Sequence, residues 1–84
     1  MTEISRDAVG LVQILVQSLV DDPEAVAIRT SSEADALLIE ISVAADDVSK
    51  VIGRHGRIIK AIRTLARAAS AVDGQERVEV EIIS

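Results

Sequence analysis

With 84 residues, 49% of them hydrophobic, the chain is long enough for one domain with a modest core and too apolar for a disordered segment. It has no cysteine and no Phe, Tyr or Trp, which excludes disulfides, thiolate metal sites, cysteine nucleophiles and aromatic platforms for stacking bases. The net charge of −5 argues against a polyanionic partner until its distribution along the chain is considered.

In chain order, a first helix is expected over residues 5–20. Ile4, Ala8, Leu11, Val12, Leu15 and Leu19 recur at helical spacing, and Asp21-Asp22-Pro23 ends the run. Val9, Val16 and Val20 widen its apolar stripe beyond the roughly 100° that one core contact needs, and Ile14 falls outside even that stripe. Two strands follow, near residues 26–31 and 36–43, with residues 31–35 as a polar turn. In the second strand Leu37, Ile39, Ile41 and Val43 alternate with Leu38, Glu40 and Ser42. A short helix is expected over residues 46–52, with Asp46 as N-cap and Asp47 in the first turn. A longer helix over residues 57–71 should set Ile58, Ile62, Leu65, Ala69 and Val72 on the sheet and Arg57, Lys60, Arg63 and Arg67 on the opposite side. The last strand, residues 77–83, alternates Val78, Val80 and Ile82 with Glu79 and Glu81. The order is αββααβ, an α+β fold in one domain spanning residues 1–84.

Charge is segregated along this order. Between Val48 and Val72 there are six basic residues and no acidic one, whereas the rest of the chain holds three basic residues against all 14 acidic ones. At the centre of the basic segment stands Gly53-Arg54-His55-Gly56, between an apolar pair that ends one helix and an amphipathic helix that starts at once. Glycines at both ends permit unusual backbone angles and close approach of another backbone. The first turn of the following helix carries Arg57 and Lys60, although a helix N-terminus disfavours cations by about 0.3–1 kcal/mol each. That placement suits a site where an anion is held jointly by backbone N–H groups and side chains.

The run Val51-Ile52-Gly53-Arg54-His55-Gly56-Arg57-Ile58-Ile59 resembles the KH-domain signature, and the element order resembles the type II, prokaryotic form of that domain. A chain of this length is similar to the small bacterial KhpA family. The resemblance implies a type II KH fold, a three-stranded sheet with helices on one face. It also implies a groove for about four unpaired RNA nucleotides, clamped at the backbone by Gly53, Arg54, His55 and Gly56. Arg57, Lys60 and Lys50 would add cations, and Ile52, Ile58 and Ile59 would support the loop or line the groove. Aliphatic side chains and backbone groups would supply the base contacts, so sequence preference should be modest. Glu40, Glu79 and Glu81 would weaken binding if they bordered the groove. The family further implies a homodimer, a larger Jag-like KH-containing partner, and work as an RNA chaperone or post-transcriptional regulator.

Catalysis is not expected. His55 has no thiol partner, the carboxylate pairs Asp21-Asp22 and Asp46-Asp47 read as a helix stop and a helix start, and no cluster suggests a metal or other cofactor. The first residues lack the basic start and cleavage site of a signal peptide, and no apolar run nears the roughly 20 residues that span a bilayer. A cytoplasmic protein without a membrane partner is expected. The wide apolar stripe of the first helix leaves one alternative, a protein-interaction subunit with little RNA binding of its own.

Overall fold

A computed structural model describes residues 8–33, 36–72 and 77–83. Helix α1 (Ala8–Leu19) leads through a 3-10 turn at Pro23–Ala25 to strands β1 (Ala27–Glu33) and β2 (Ala36–Ser42). A second 3-10 turn, Ala45–Asp47, enters the short helix α2 (Val48–Ile52); Arg54–Gly56 then turns the chain into α3 (Arg57–Val72), and β3 (Arg77–Ile83) follows. Residues 5–7 of the expected first helix, the turn residues 34–35 and the helix stop at residues 73–74 lie outside the described residues.

β1 and β2 pair antiparallel, whereas β2 and β3 pair parallel, in the order β1-β2-β3. Parallel neighbours cannot be joined by a tight turn and need a crossover. Here the crossover is α2, the glycine loop and α3, so the loop stands where the two crossover helices meet. The register aligns Ile28, Ile41 and Ile82 in one row and Ile39 with Val80 in the next. Ile39, Ile41, Val78 and Val80 are buried there with Val12 and Val16 of α1, Val51 of α2 and Ile59, Ile62 and Ala66 of α3. The helices thus cover a single face of the sheet, and the core is entirely aliphatic.

Three local expectations change. β1 runs on through Ser31, Ser32 and Glu33, which pair with Leu38, Leu37 and Ala36. Their weak strand propensity is overridden by the partner strand, because β propensity depends on context. The face of α3 is rotated: Ile59, Ile62, Ala66 and Ser70 are buried, Ile58 is half-buried, and Leu65 is 45% exposed. Ile58 and Leu65 turn toward α1, which shares the same face of the sheet, so the apolar arc of α3 serves two neighbours instead of one.

The third change concerns Asp46 and Asp47. Neither caps a helix with its side chain. Asp47 is 2% exposed, and its carboxylate reaches back to the end of α1. Oδ1 accepts from the Asp21 N–H at 3.2 Å and Oδ2 from the Asp22 N–H at 3.1 Å. Lys50 Nζ lies 3.1 Å from Asp47 Oδ1 and 3.3 Å from Asp21 Oδ2. Burial alone pushes the Asp47 pKa up, but the Asp21 N–H, the Lys50 ammonium and the Asp22 N–H together hold it below the usual carboxylate range. The Lys50 pKa is raised, first by its hydrogen bond to Asp47 and then by Asp21. The cluster pins the start of α2, and hence the loop beyond it, to the end of α1.

Asp47→Ala should lower the melting temperature by several degrees, because two backbone N–H groups lose their acceptors. The sign with pH follows from the shifts. The Asp47 contribution is fully present above the ordinary carboxylate value of ~3.9 and disappears as pH falls through its lower, folded value. The Lys50 contribution is present below ~10.4 and is lost as pH rises past its raised value. The melting difference between wild type and Asp47→Ala, followed by circular dichroism, should stay flat through neutral pH and shrink in acid.

Candidate nucleic-acid interface

The loop is built from a helix end, a contact and a change of handedness. α2 ends when the Gly53 N–H donates to the Ser49 carbonyl at 2.8 Å. Gly53 then adopts φ 77° and ψ 172°, a region essentially reserved for glycine. Ile58 makes the same demand: a Cβ on Gly53 would stand 2.5 Å from Ile58 Cγ1 and 2.8 Å from its Cβ. Arg54 keeps helical angles, His55 turns left-handed at φ 59° and ψ 23°, and Gly56 follows at φ 72°. The Gly56 N–H donates to the Gly53 carbonyl at 3.1 Å, and the Arg57 N–H donates to Arg54.

The N–H groups of Arg54 and His55 open this turn, where a helix leaves its donors without internal acceptors. Among the described residues no other backbone acceptor takes them. A right-handed residue followed by a left-handed one turns successive N–H groups toward a common concavity, which suits an anion. Arg54, His55, Arg57 and Lys60 are all exposed around it.

Other candidates occupy different places. Ile59 is 6% exposed, with Cγ2 4.0 Å from where a Cβ on Gly56 would stand, so it supports the loop from beneath. Ile52 is half-buried. The charge of Lys50 is engaged by Asp47 and Asp21, which makes it an anchor of α2. Arg63 and Arg67, expected to extend outward from α3, instead donate through Nε to the carbonyls of Val80 (3.1 Å) and Val78 (3.4 Å). Glu79 and Glu81 alternate with the inward Val78 and Val80, and the register sets Glu81 beside Glu40. These carboxylates therefore belong to the sheet face opposite the helices, away from the loop.

Sequence reasoning missed the Asp47 cluster, since nothing in the chain pattern separates a buried aspartate from a helix-start one. It also missed the arginine contacts with β3. An apolar groove of about 310 Å³ runs between α1 and α3, lined by Leu15 and Leu19 on one side and Ile58, Ala61 and Leu65 on the other.

Comparison with known proteins agrees with this architecture. The family model described as KhpA/KhpB, KH domain, matches residues 10–82. A relative from Caldanaerobacter subterraneus subsp. tengcongensis, named RNA-binding protein KhpA, is 47% identical over 73 residues, covering 87% of this chain and 96% of the relative. The protein of the same name from Clostridium perfringens is 45% identical with the same coverage. Among solved structures, Era of Aquifex aeolicus bound to GDP·AlF4− superposes with a TM-score of 0.62 at 21% identity, over 90% of this chain and 30% of Era. Era in complex with MgGDPNP and nucleotides 1506–1542 of 16S ribosomal RNA gives a TM-score of 0.61 at 20% identity, with the same coverage. At these identities the likeness to Era concerns the fold alone.

The two loop glycines should respond unequally to alanine. Gly53→Ala meets both a forbidden backbone region and the Ile58 side chain, and is expected to cost about 1–3 kcal/mol and displace the loop. Gly56→Ala has room for its Cβ and only the left-handed backbone against it, at about 1–2 kcal/mol. Denaturant melts of the two variants check the order.

Proposed function

The chain belongs to the KhpA/KhpB KH-domain family, and from that premise we propose that it binds single-stranded RNA by gripping the backbone at Gly53-Arg54-His55-Gly56. The observation that carries this reading is the turn from right-handed Arg54 to left-handed His55. It aims backbone N–H groups outward among exposed cations. A phosphate seated there would receive hydrogen bonds from the backbone and charge from Arg54, Arg57 and Lys60. Arg57 and Lys60 then no longer oppose the helix dipole unassisted, because the anion lies between them and the N–H groups. His55, exposed beside the turn, adds a side-chain donor.

Electrostatic contact with the backbone releases counterions, so wild-type affinity for short single-stranded RNA should fall linearly with the logarithm of salt, with a slope of about −0.7 per phosphate engaged. The Arg54→Asp/His55→Asp double variant alters two exposed side chains and should remain folded while losing about tenfold or more in affinity. Fluorescence anisotropy at two salt concentrations measures both effects. Unchanged affinity in the variant rejects the backbone grip and leaves the protein-interaction reading in its place.

A second part of the reading is self-association, or pairing with a larger Jag-like KH-containing protein, in the service of RNA chaperoning or post-transcriptional regulation. The groove between α1 and α3 supports it: Leu65 is 45% exposed on its rim and Ile14 is 60% exposed on α1. A cytoplasmic setting fits, and no helix among the described residues is long and apolar enough to cross a membrane. Light scattering should show a dimer that dissociates in Leu65→Glu; a monomer at high micromolar concentration removes the homodimer.

A further inference from the structure

The groove between α1 and α3 begins where the loop ends. Arg57, the first residue after Gly56, lines it together with Ile58, Ala61 and Leu65 of α3 and Leu15 and Leu19 of α1. No carboxylate lines this groove. Among the described residues the Arg57 guanidinium has no ion-pair partner, and the residue is exposed. Two residues therefore serve two places at once. Ile58 meets Gly53 on one side and the groove on the other. Arg57 stands between the phosphate seat argued above and the apolar groove.

A contact between two copies about a two-fold axis needs a patch that is its own complement. This patch supplies both halves: a cavity of about 310 Å³ and, on its rim, Leu65, which is 45% exposed. A second copy that places its Leu65 in the groove receives the first copy's Leu65 in return. Because Arg57 lines the groove being filled, the contact strips water from its guanidinium and offers no carboxylate in exchange. A cation that loses water without gaining a partner opposes association. A phosphate seated at the loop supplies the missing counter-charge without entering the groove. Packing acts in the same direction. A second copy pressing on the outer side of Ile58 holds that side chain against Gly53, and so holds the turn in the shape that receives the phosphate.

We propose that RNA binding and self-association form one linked equilibrium in this chain, with Arg57 as the residue that links them. A phosphate at the loop favours the dimer, and the dimer tightens the grip. The inference rests on the backbone grip and the groove contact argued above and adds the coupling between them. Linkage of this kind is reciprocal, so the same factor must appear in both affinities.

Full-length wild type is followed by sedimentation velocity with and without a uridine pentamer, which is too short for two loops that each grip about four nucleotides. Its dimer dissociation constant should fall about fivefold or more when the pentamer is bound. By fluorescence anisotropy, the Leu65→Glu monomer should bind the pentamer more weakly than the wild-type dimer, by the same factor. Arg57→Gln gives the sharpest reading. Without RNA it should dimerise more tightly than wild type, although it makes the net charge of −5 one unit more negative, and the pentamer should no longer strengthen its dimer. A weaker Arg57→Gln dimer overturns the proposal, because Arg57 then holds the interface directly. So does a pentamer that binds wild type and leaves dimerisation unchanged; in that case the grip and the groove contact stand and only their coupling fails. Strengthening by a long uridine strand and not by the pentamer marks two copies sharing one strand, and overturns it too. A wild type that stays monomeric with saturating pentamer removes the groove contact, and one that binds no pentamer removes the grip; either result takes the coupling with it. The wild-type arms need no variant to fold.

Discussion

The Ile58 side chain lies so close to the Gly53 backbone that a Cβ there would stand 2.5 Å from Cγ1. This approach is what allows α2 to end and α3 to begin within a few residues while both stay on the core. With any side chain at Gly53 the two helices would have to separate, and the turn at Arg54 and His55 would no longer point its N–H groups at one spot. Ile58 also lines the groove between α1 and α3, beside Leu15 and Leu19. One side chain therefore forms the back of the loop and part of the wall of the apolar groove. Anything filling that groove touches the loop's support.

The second fixed point is the Asp47 carboxylate, and it shows how the six cations between Val48 and Val72 are divided. Lys50 is spent on holding α2 to the end of α1. Arg63 and Arg67 are seated on the β3 edge. Arg54, Arg57 and Lys60 remain exposed around the loop. The acidic residues of β2 and β3, Glu40, Glu79 and Glu81, face away from the helices. A net charge of −5 is thus compatible with a locally cationic loop, because the fold sorts the signs onto different faces.

Much of this was legible in the sequence where a period or a glycine carried the information. The alternation Leu37, Ile39, Ile41 gave the inner face of β2, and the same alternation through Val78 and Val80 gave that of β3. Gly53 and Gly56 marked the loop because only its backbone geometry needs them. What was illegible depended on partners distant in the chain. Ser31 and Ser32 look like a turn until Leu38 and Leu37 pair with them. Asp47 looks like a helix-start aspartate until the end of α1 arrives beside it. The buried face of α3 differs from the expected one by most of a quarter turn (Ile59 and Ala66 lie inward, Leu65 outward), because a wide apolar arc does not say which of two neighbours each residue meets.

The missing aromatic residues bind these features into one argument. Stacking on an aromatic ring gives affinity that tolerates some looseness, since any base has a face to offer. A surface limited to hydrogen bonds and charge has no such tolerance, because a displaced donor loses much of its value within a fraction of an ångström. The donors must then be held by the scaffold itself. Here the loop N–H groups are set by Gly53 against Ile58, α2 is pinned by Asp47 and Lys50, and Arg63 and Arg67 have their Nε atoms fixed on β3. An aliphatic core of isoleucine and valine, stiff at χ1, suits that requirement, since it keeps the helices and the sheet edge in constant relation. In this chain, rigidity takes the place that aromatic surface occupies in other folds.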